Sequence, residues 1–245
     1  MQTHPISVLI PTYNRAAMLR ESIHSILNQT YRKLKIIIYD DGSNDKTPIV
    51  VKKFNDNRIV YIRADKNLGV QNARNALLNA AKTKIVCWQD SDDISNIHRI
   101  EKQLHYLIES GAILVGTNYI GFTDKIEKKH DIKVVTTKAA QAAARGIPIS
   151  TNVEKIKYPC GCFASTMFYL NKAVEFDVRH SFGGGDTVWL RKMYRKHNTN
   201  RPIMHDILYY VRYHKHRIGR WKKQRQLNPK WLNRMKKLSR NPSSL

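Results

Sequence analysis

What this chain lacks narrows it first. Its 245 residues include only three cysteines, Cys87, Cys160 and Cys162. An odd, sparse set with no second close pair excludes a disulfide framework and the paired spacing of a structural zinc site. A reduced, cytoplasmic setting is the expectation. No apolar run approaches the roughly 20 residues of a membrane span. The opening Met1-Gln2-Thr3-His4-Pro5 lacks the basic-then-apolar order of a signal peptide. No G-x-G-x-x-G follows the first apolar run, which disfavours NAD or FAD. Carboxylates are scarce: 43 Lys and Arg stand against 19 Asp and Glu, a net charge of +24. After Asp206 there is no acidic residue at all, while twelve Lys or Arg follow. Such a field attracts polyanions, whether nucleic acid, anionic lipid surfaces or acidic glycans.

What is present is an alternation of apolar runs. Ile6 to Ile10, Leu34 to Tyr39, Ile59 to Arg63 and Lys84 to Trp88 are short, β-branched-rich stretches that predict strands. Between them, Ala16 to Gln29, Lys46 to Phe54 and Val70 to Ala81 repeat apolar residues at helical spacing. Strand–helix alternation predicts a mostly parallel sheet flanked by helices. The length suits one domain, or one domain with an elaboration.

The fourth strand stops on Gln89-Asp90-Ser91-Asp92-Asp93. Asp90 and Asp92 point to one side if the strand geometry continues, and two like charges so placed call for a cation. Mg²⁺ or Mn²⁺, bound through carboxylates together with substrate phosphates, is the economical candidate. The alternative is an acidic turn in which Asp92 or Asp93 caps a following helix. Polar groups also end the first strand (Pro11-Thr12-Tyr13) and the second (Asp40-Asp41). Parallel strands put these ends on one edge, where open α/β sheets bind ligands.

Together, Ile6 to Arg15, Asp40-Asp41-Gly42-Ser43, Asn67-Leu68-Gly69 with Arg74, and Asp90-Ser91-Asp92-Asp93 resemble the family 2 glycosyltransferases of the GT-A fold. The resemblance implies a nucleotide-sugar donor, most commonly a UDP-sugar, a Mn²⁺ or Mg²⁺ ion, and inversion at the anomeric carbon. It places Pro11, Thr12, Tyr13 and Arg15 around base and ribose. Asp40, or its neighbour Asp41, would read the base, with Asp40 the better match. Asn67 and Arg74 would lie near the nucleotide, Arg74 suited to phosphate or base; otherwise it is a solvated helix-face arginine. Asp92 becomes the direct metal ligand, and Asp90, beside Ser91, the ribose or outer partner that also serves the ion, with Asp93 open to either job.

Further along, Ile94 to Ser110 predicts a helix, Ala112 to Val115 a strand extended or paired by Asn118 to Phe122, and Cys160 to Tyr169 another strand. Asp124 to Val153 resists reading. Phe182 to Arg191 matches the family segment that carries the catalytic base, which falls on Asp186; a helix cap at Thr187 to His197 is its alternative role. The family has two acidic residues here, and this chain has Gly185-Asp186. Arg212 and His214 match the closing segment that completes the metal shell or touches pyrophosphate, with His216 as competitor. The implied layout is a GT-A domain over residues 1–214 (donor half 1–115, acceptor half 116–214) and a basic extension over 215–245. That extension reads either as an amphipathic helix on an anionic membrane or as one packed on the domain. The acceptor class stays open between glycan, lipid and protein, and an anionic acceptor or membrane surface would explain the charge. A nucleotidyltransferase is the enzymatic alternative, disfavoured because Pro11-Thr12-Tyr13 is no Gly-rich loop. A nucleic-acid-binding module is disfavoured because, before the tail, aromatics do not interleave with the basic residues in a recognition pattern.

Overall fold

The computed structural model describes residues 4–123, 134–146, 162–180 and 184–214. Two compact units divide the chain, Met1–Val211 and Arg212–Leu245. In the first unit β1 (Ile6–Thr12), β2 (Leu34–Asp40), β3 (Ile59–Arg63) and β4 (Ile85–Trp88) alternate with α1 (Ala16–Leu27), α2 (Thr47–Lys52) and α3 (Val70–Ala80). β1 pairs in parallel with β2 and β4, and β2 with β3. Every residue of β1 and β4 is buried, as strands covered on both faces must be. Pro11 is tolerated because the β1–β4 pairing ends at Leu9, leaving no ladder bond on that side for its missing N–H.

The period of two splits β1 between two cores. Val8 and Ile10 face one side with Leu19, Ile23 and Ile26 of α1. Leu9 faces the other with Leu77, Val86 and an aromatic group including Trp88, Phe163, Phe176 and Trp189. Cys87 lies wholly inside, where burial pushes its thiol up to about 11, so it is an inert packing residue.

The remaining elements are β5 (Ile94–Ser95), α4 (Arg99–Glu109), β6 (Leu114–Thr123), β7 (Val134–Thr136), α5 (Thr137–Ala143), β8 (Met167–Tyr169), α6 (Gly185–His197) and β9 (Ile203–Arg212). Strand order is β3-β2-β1-β4-β8-β6-β9-β5, with β7 beside β6. β8 runs antiparallel to both β4 and β6, so the sheet is parallel in its first half and mixed beyond.

Two boundaries differ from the sequence-based expectation, and one open choice is decided. The helix expected from Ile94 begins only at Arg99, because Ile94 and Ser95 pair with Tyr210 and Tyr209. Of the two readings for Asn118 to Phe122, continuation holds: β6 runs unbroken over Leu114–Thr123, its polar centre bonded to β9. Thr117 Oγ1 donates to Asp206 O (2.7 Å) and Asn118 Nδ2 to His205 O (3.4 Å). Of the expected strand at Cys160 to Tyr169, Phe163–Ser165 coil into a 3-10 turn, closed where Ser165 Oγ donates to Cys162 O. Among the described residues no helix is long and apolar enough to cross a membrane. The tail reading at 215–245 lies outside them.

Candidate active site

The carboxyl ends of β1, β2 and β4 share one edge, and the loops leaving them are sewn together. Asn14, in the left-handed region at φ 51°, accepts the Asn44 N–H on its side-chain oxygen (2.9 Å). Its own N–H goes to Ser43 Oγ (2.8 Å). Asp41 accepts the N–H groups of Leu68 (2.9 Å) and Gly69 (2.8 Å). A Cβ on Gly42 would fall 2.7 Å from the Lys66 backbone, so only glycine lets the loop after β2 touch the chain before α3. The result is a wall with Tyr13, Asn67 and Leu68 exposed along it and Thr12 and Asp41 buried behind them. Thr12 Oγ1 is buried with no hydrogen-bond partner. Arg15, half-buried, donates back to Asn14 O (3.3 Å).

Asp40, the better match to the base-reading position, is gripped from inside the fold. Its carboxylate is completely buried. It accepts the Ser43 N–H (2.9 Å) and the Tyr61 hydroxyl (2.5 Å), with Arg63 Nε at 3.7 Å. Burial, then the bond to Asp40, drives the Tyr61 phenol upward, keeping it a neutral donor. Asp40 is thus an anchor beneath the wall and offers no free edge to solvent.

At the end of β4 the strand geometry does not continue. Residues after Trp88 turn, with the Asp93 N–H on Asp90 O (3.3 Å). The turn, rather than alternation along a strand, brings Asp90, Asp92 and Asp93 together, with carboxylate oxygens within 4.8 Å of one another. The capping alternative fails: β5 follows, and α4 is preceded by His98. Asp90 and Asp92 are half-buried while Asp93 and Ser91 are buried. Three carboxylates make an all-oxygen donor set, which fits a hard divalent cation such as Mg²⁺ or Mn²⁺.

Arg74, on α3, is buried rather than solvated. Its guanidinium is ion-paired with Asp186 and has Asp90 Oδ1 at 3.9 Å. Its Cζ lies 4.6 Å from the Phe163 ring centroid and 5.4 Å from that of Phe176. Asp186 opens α6 but is no cap: Gly184 holds that position, without a side-chain bond. Three residues on, Trp189 is buried against Phe163, Phe168 and Phe176, its indole N–H donated to Val174 O (2.7 Å). Trp88, just before the acidic turn, packs on the same rings. One aromatic cluster therefore seats both carboxylate-bearing segments. A Cβ at 185 would fall 2.0 Å from Gln71 Nε2, the movable end of a flexible side chain, so the Gln71 carboxamide occupies the space beside Asp186.

Arg212 and His214 belong to the second unit, Arg212 buried and His214 half-buried; the competitor His216 lies outside the described residues. Sequence reasoning missed Asn14 as the loop clasp, Gln71, and the buried support of the acidic turn by Gln89, Arg99 and Tyr209. Arg99 and Gln103 did leave a signal: a polar pair at i, i+4 beside the apolar Ile100, Leu104 and Leu107.

The mixed sheet, with loop wall and acidic turn at one edge, defines a GT-A-like fold. A structure of S. aureus TarS (1–349) in complex with UDP-GlcNAc has the same fold, with a TM-score of 0.65, 19% identity, 86% of this chain covered and 59% of TarS. The family model of Glycosyl transferase family 2 matches residues 7–175; the chain belongs to that family. It is 31% identical over 119 residues to the Escherichia coli UDP-Glc:alpha-D-GlcNAc-diphosphoundecaprenol beta-1,3-glucosyltransferase WfgD, covering 49% of this chain and 47% of that protein. An uncharacterized glycosyltransferase of Haemophilus influenzae is 34% identical over 134 residues, covering 54% and 52%. The chain spans about half the length of the curated relatives it matches.

Proposed function

We propose that this chain is a metal-dependent, inverting glycosyltransferase that moves a hexose from a UDP-sugar to an acceptor hydroxyl. The observation that carries the reading is the Arg74 guanidinium, which touches Asp186 on one side and reaches Asp90 on the other. A base and an ion-competent turn thereby face one space, as in-line displacement requires. The wall of Thr12, Tyr13, Asp41 and Asn67 takes the base and ribose, with Asp40 bracing it from behind. Asp186 removes the acceptor hydroxyl proton as that oxygen bonds to the anomeric carbon. The bond from that carbon to the diphosphate breaks, and UDP leaves with the electron pair. Asp92 and Asp90 would hold Mn²⁺ or Mg²⁺, with Asp93 behind them. When bound, that ion supplies charge neutralisation at the leaving group.

Calorimetry of UDP binding with and without Mn²⁺ tests this. Affinity is expected to rise by about tenfold or more with the ion; equal affinity under both conditions would end the metal assignment.

For the acceptor we favour a sugar carried on an anionic lipid; the name of WfgD gives alpha-D-GlcNAc-diphosphoundecaprenol for that protein. Support comes from α6, which exposes Arg191, Lys192, Arg195 and Lys196 on the helix that begins at Asp186. None of these four has a carboxylate at ion-pair distance among the described residues. At about 1 kcal/mol per cation near an anionic membrane, reversing Lys192 and Lys196 to Glu should cut partitioning onto phosphatidylglycerol vesicles by about tenfold or more. Sedimentation matching the wild type would remove α6 from the acceptor reading.

A further inference from the structure

The acidic turn has a built support beneath it. Gln89 Nε2 donates to Asp90 O (3.2 Å), Asp93 O (3.0 Å) and Ser22 Oγ (3.1 Å). Ser22 Oγ in turn donates to Asp90 O (3.0 Å). The Gln89 side-chain oxygen accepts from Ser95 Oγ (2.7 Å) and Arg99 Nη1 (2.8 Å). Arg99 is completely buried and faces no carboxylate at ion-pair distance among the described residues. Its other bonds go to neutral acceptors: Gln103 Oε1, Ser95 Oγ, Trp88 O and Ala164 O. Over its guanidinium, 4.8 Å from Cζ to ring centroid, lies Tyr209 of β9. The Tyr209 phenol oxygen accepts the Asp90 N–H at 3.0 Å, across 119 residues of chain.

These contacts differ in kind. Gln89 and Ser22 hold carbonyl oxygens of the turn from nearby elements. Tyr209 holds its leading N–H from β9, the strand that pairs with β5 just after the turn, so the phenol oxygen sets the direction in which the Asp90 backbone leaves β4. Asp90 and Asp92 are the two carboxylates of the cluster that are not fully buried, and both follow from that direction.

We infer that Tyr209 is the positioning residue of the cation-binding turn: its hydroxyl fixes the Asp90 backbone so that the Asp90 and Asp92 carboxylates converge on one ion. This rests on the metal-dependent reading above. Arg99 is its platform, a cation that keeps the ring in place without neutralising the cluster by direct pairing.

Tyr209→Phe deletes the hydroxyl and leaves the ring over Arg99. Mn²⁺ binding in the presence of UDP, followed by the electron paramagnetic resonance of free Mn²⁺, is expected to weaken about tenfold, the scale seen when groups behind metal ligands are lost. Turnover should recover toward wild type at saturating Mn²⁺, because the ligands themselves remain. Tyr31→Phe is the control. It removes a remote hydroxyl that donates to His4 O, and its Mn²⁺ affinity should stay within about twofold of wild type. Wild-type-like Mn²⁺ binding in Tyr209→Phe, or an equal loss in both variants, overturns the inference alone. A wild-type protein that binds no Mn²⁺ with UDP overturns the metal reading and this inference together.

Discussion

Asp186→Asn is expected to lower sugar transfer by about 10²- to 10⁴-fold, the usual contribution of a positioned general base. The substitution keeps the size and an oxygen for Arg74 to bond, but it removes the only atom in the reading that takes the acceptor proton. Folding should survive. The Asp186 side chain is nearly half exposed (46%), so its ion pair with Arg74 is screened and contributes at most about 1 kcal/mol. Arg74 keeps its seat on Phe163 and Phe176 and its approach to Asp90. UDP affinity with Mn²⁺ should therefore match wild type while turnover collapses. Transfer kinetics beside UDP calorimetry check both halves. Turnover within tenfold of wild type would mean that another group takes the proton.

Asp92→Ala is expected to be comparably damaging by a different route. Asp92 is half-buried at the open side of the turn, so its removal should leave the fold nearly intact. With one carboxylate gone the cluster loses a ligand, and stabilisation of charge developing on the diphosphate falls with it. Lost electrostatic stabilisation of that kind costs about 10²- to 10³-fold in turnover. Unlike Asp186→Asn, this variant should also lose the Mn²⁺-dependent gain in UDP affinity. Asp93→Asn supplies the contrast: Asp93 is completely buried, so its cost should fall first on thermal stability. If Asp92→Ala still binds UDP more tightly with Mn²⁺ than without, the turn is not the ion site.

Much of this arrangement was legible along the chain. The four β-branched runs and three amphipathic intervals are local signals, and hydrophobic periodicity reports them directly. Parallel pairing then obliges the ends at Thr12, Asp40 and Trp88 to share an edge, so the acidic stretch after Trp88 could be placed before any coordinates. The second half was harder. β5, β8 and β9 owe their form to partners far away in sequence, and Ile94-Ser95 pairs with β9 instead of joining the helix that its apolar spacing suggested.

Composition and pattern settled the class of fold and the edge that carries the site, because these follow from local periodicity and strand direction; the resemblance to family 2 glycosyltransferases singled out Arg74 and Asp186. Only the tertiary structure decided what those groups do. It drew Asp40 inward onto Tyr61 and set Arg74 between Asp186 and Asp90. It filled the place of an acidic neighbour with Gln71 and brought Tyr209 under the turn. Each of these depends on contacts between residues remote in sequence, and a buried charge takes its role from whichever partner offsets its desolvation. That partner is set by packing, to which a linear pattern has no access.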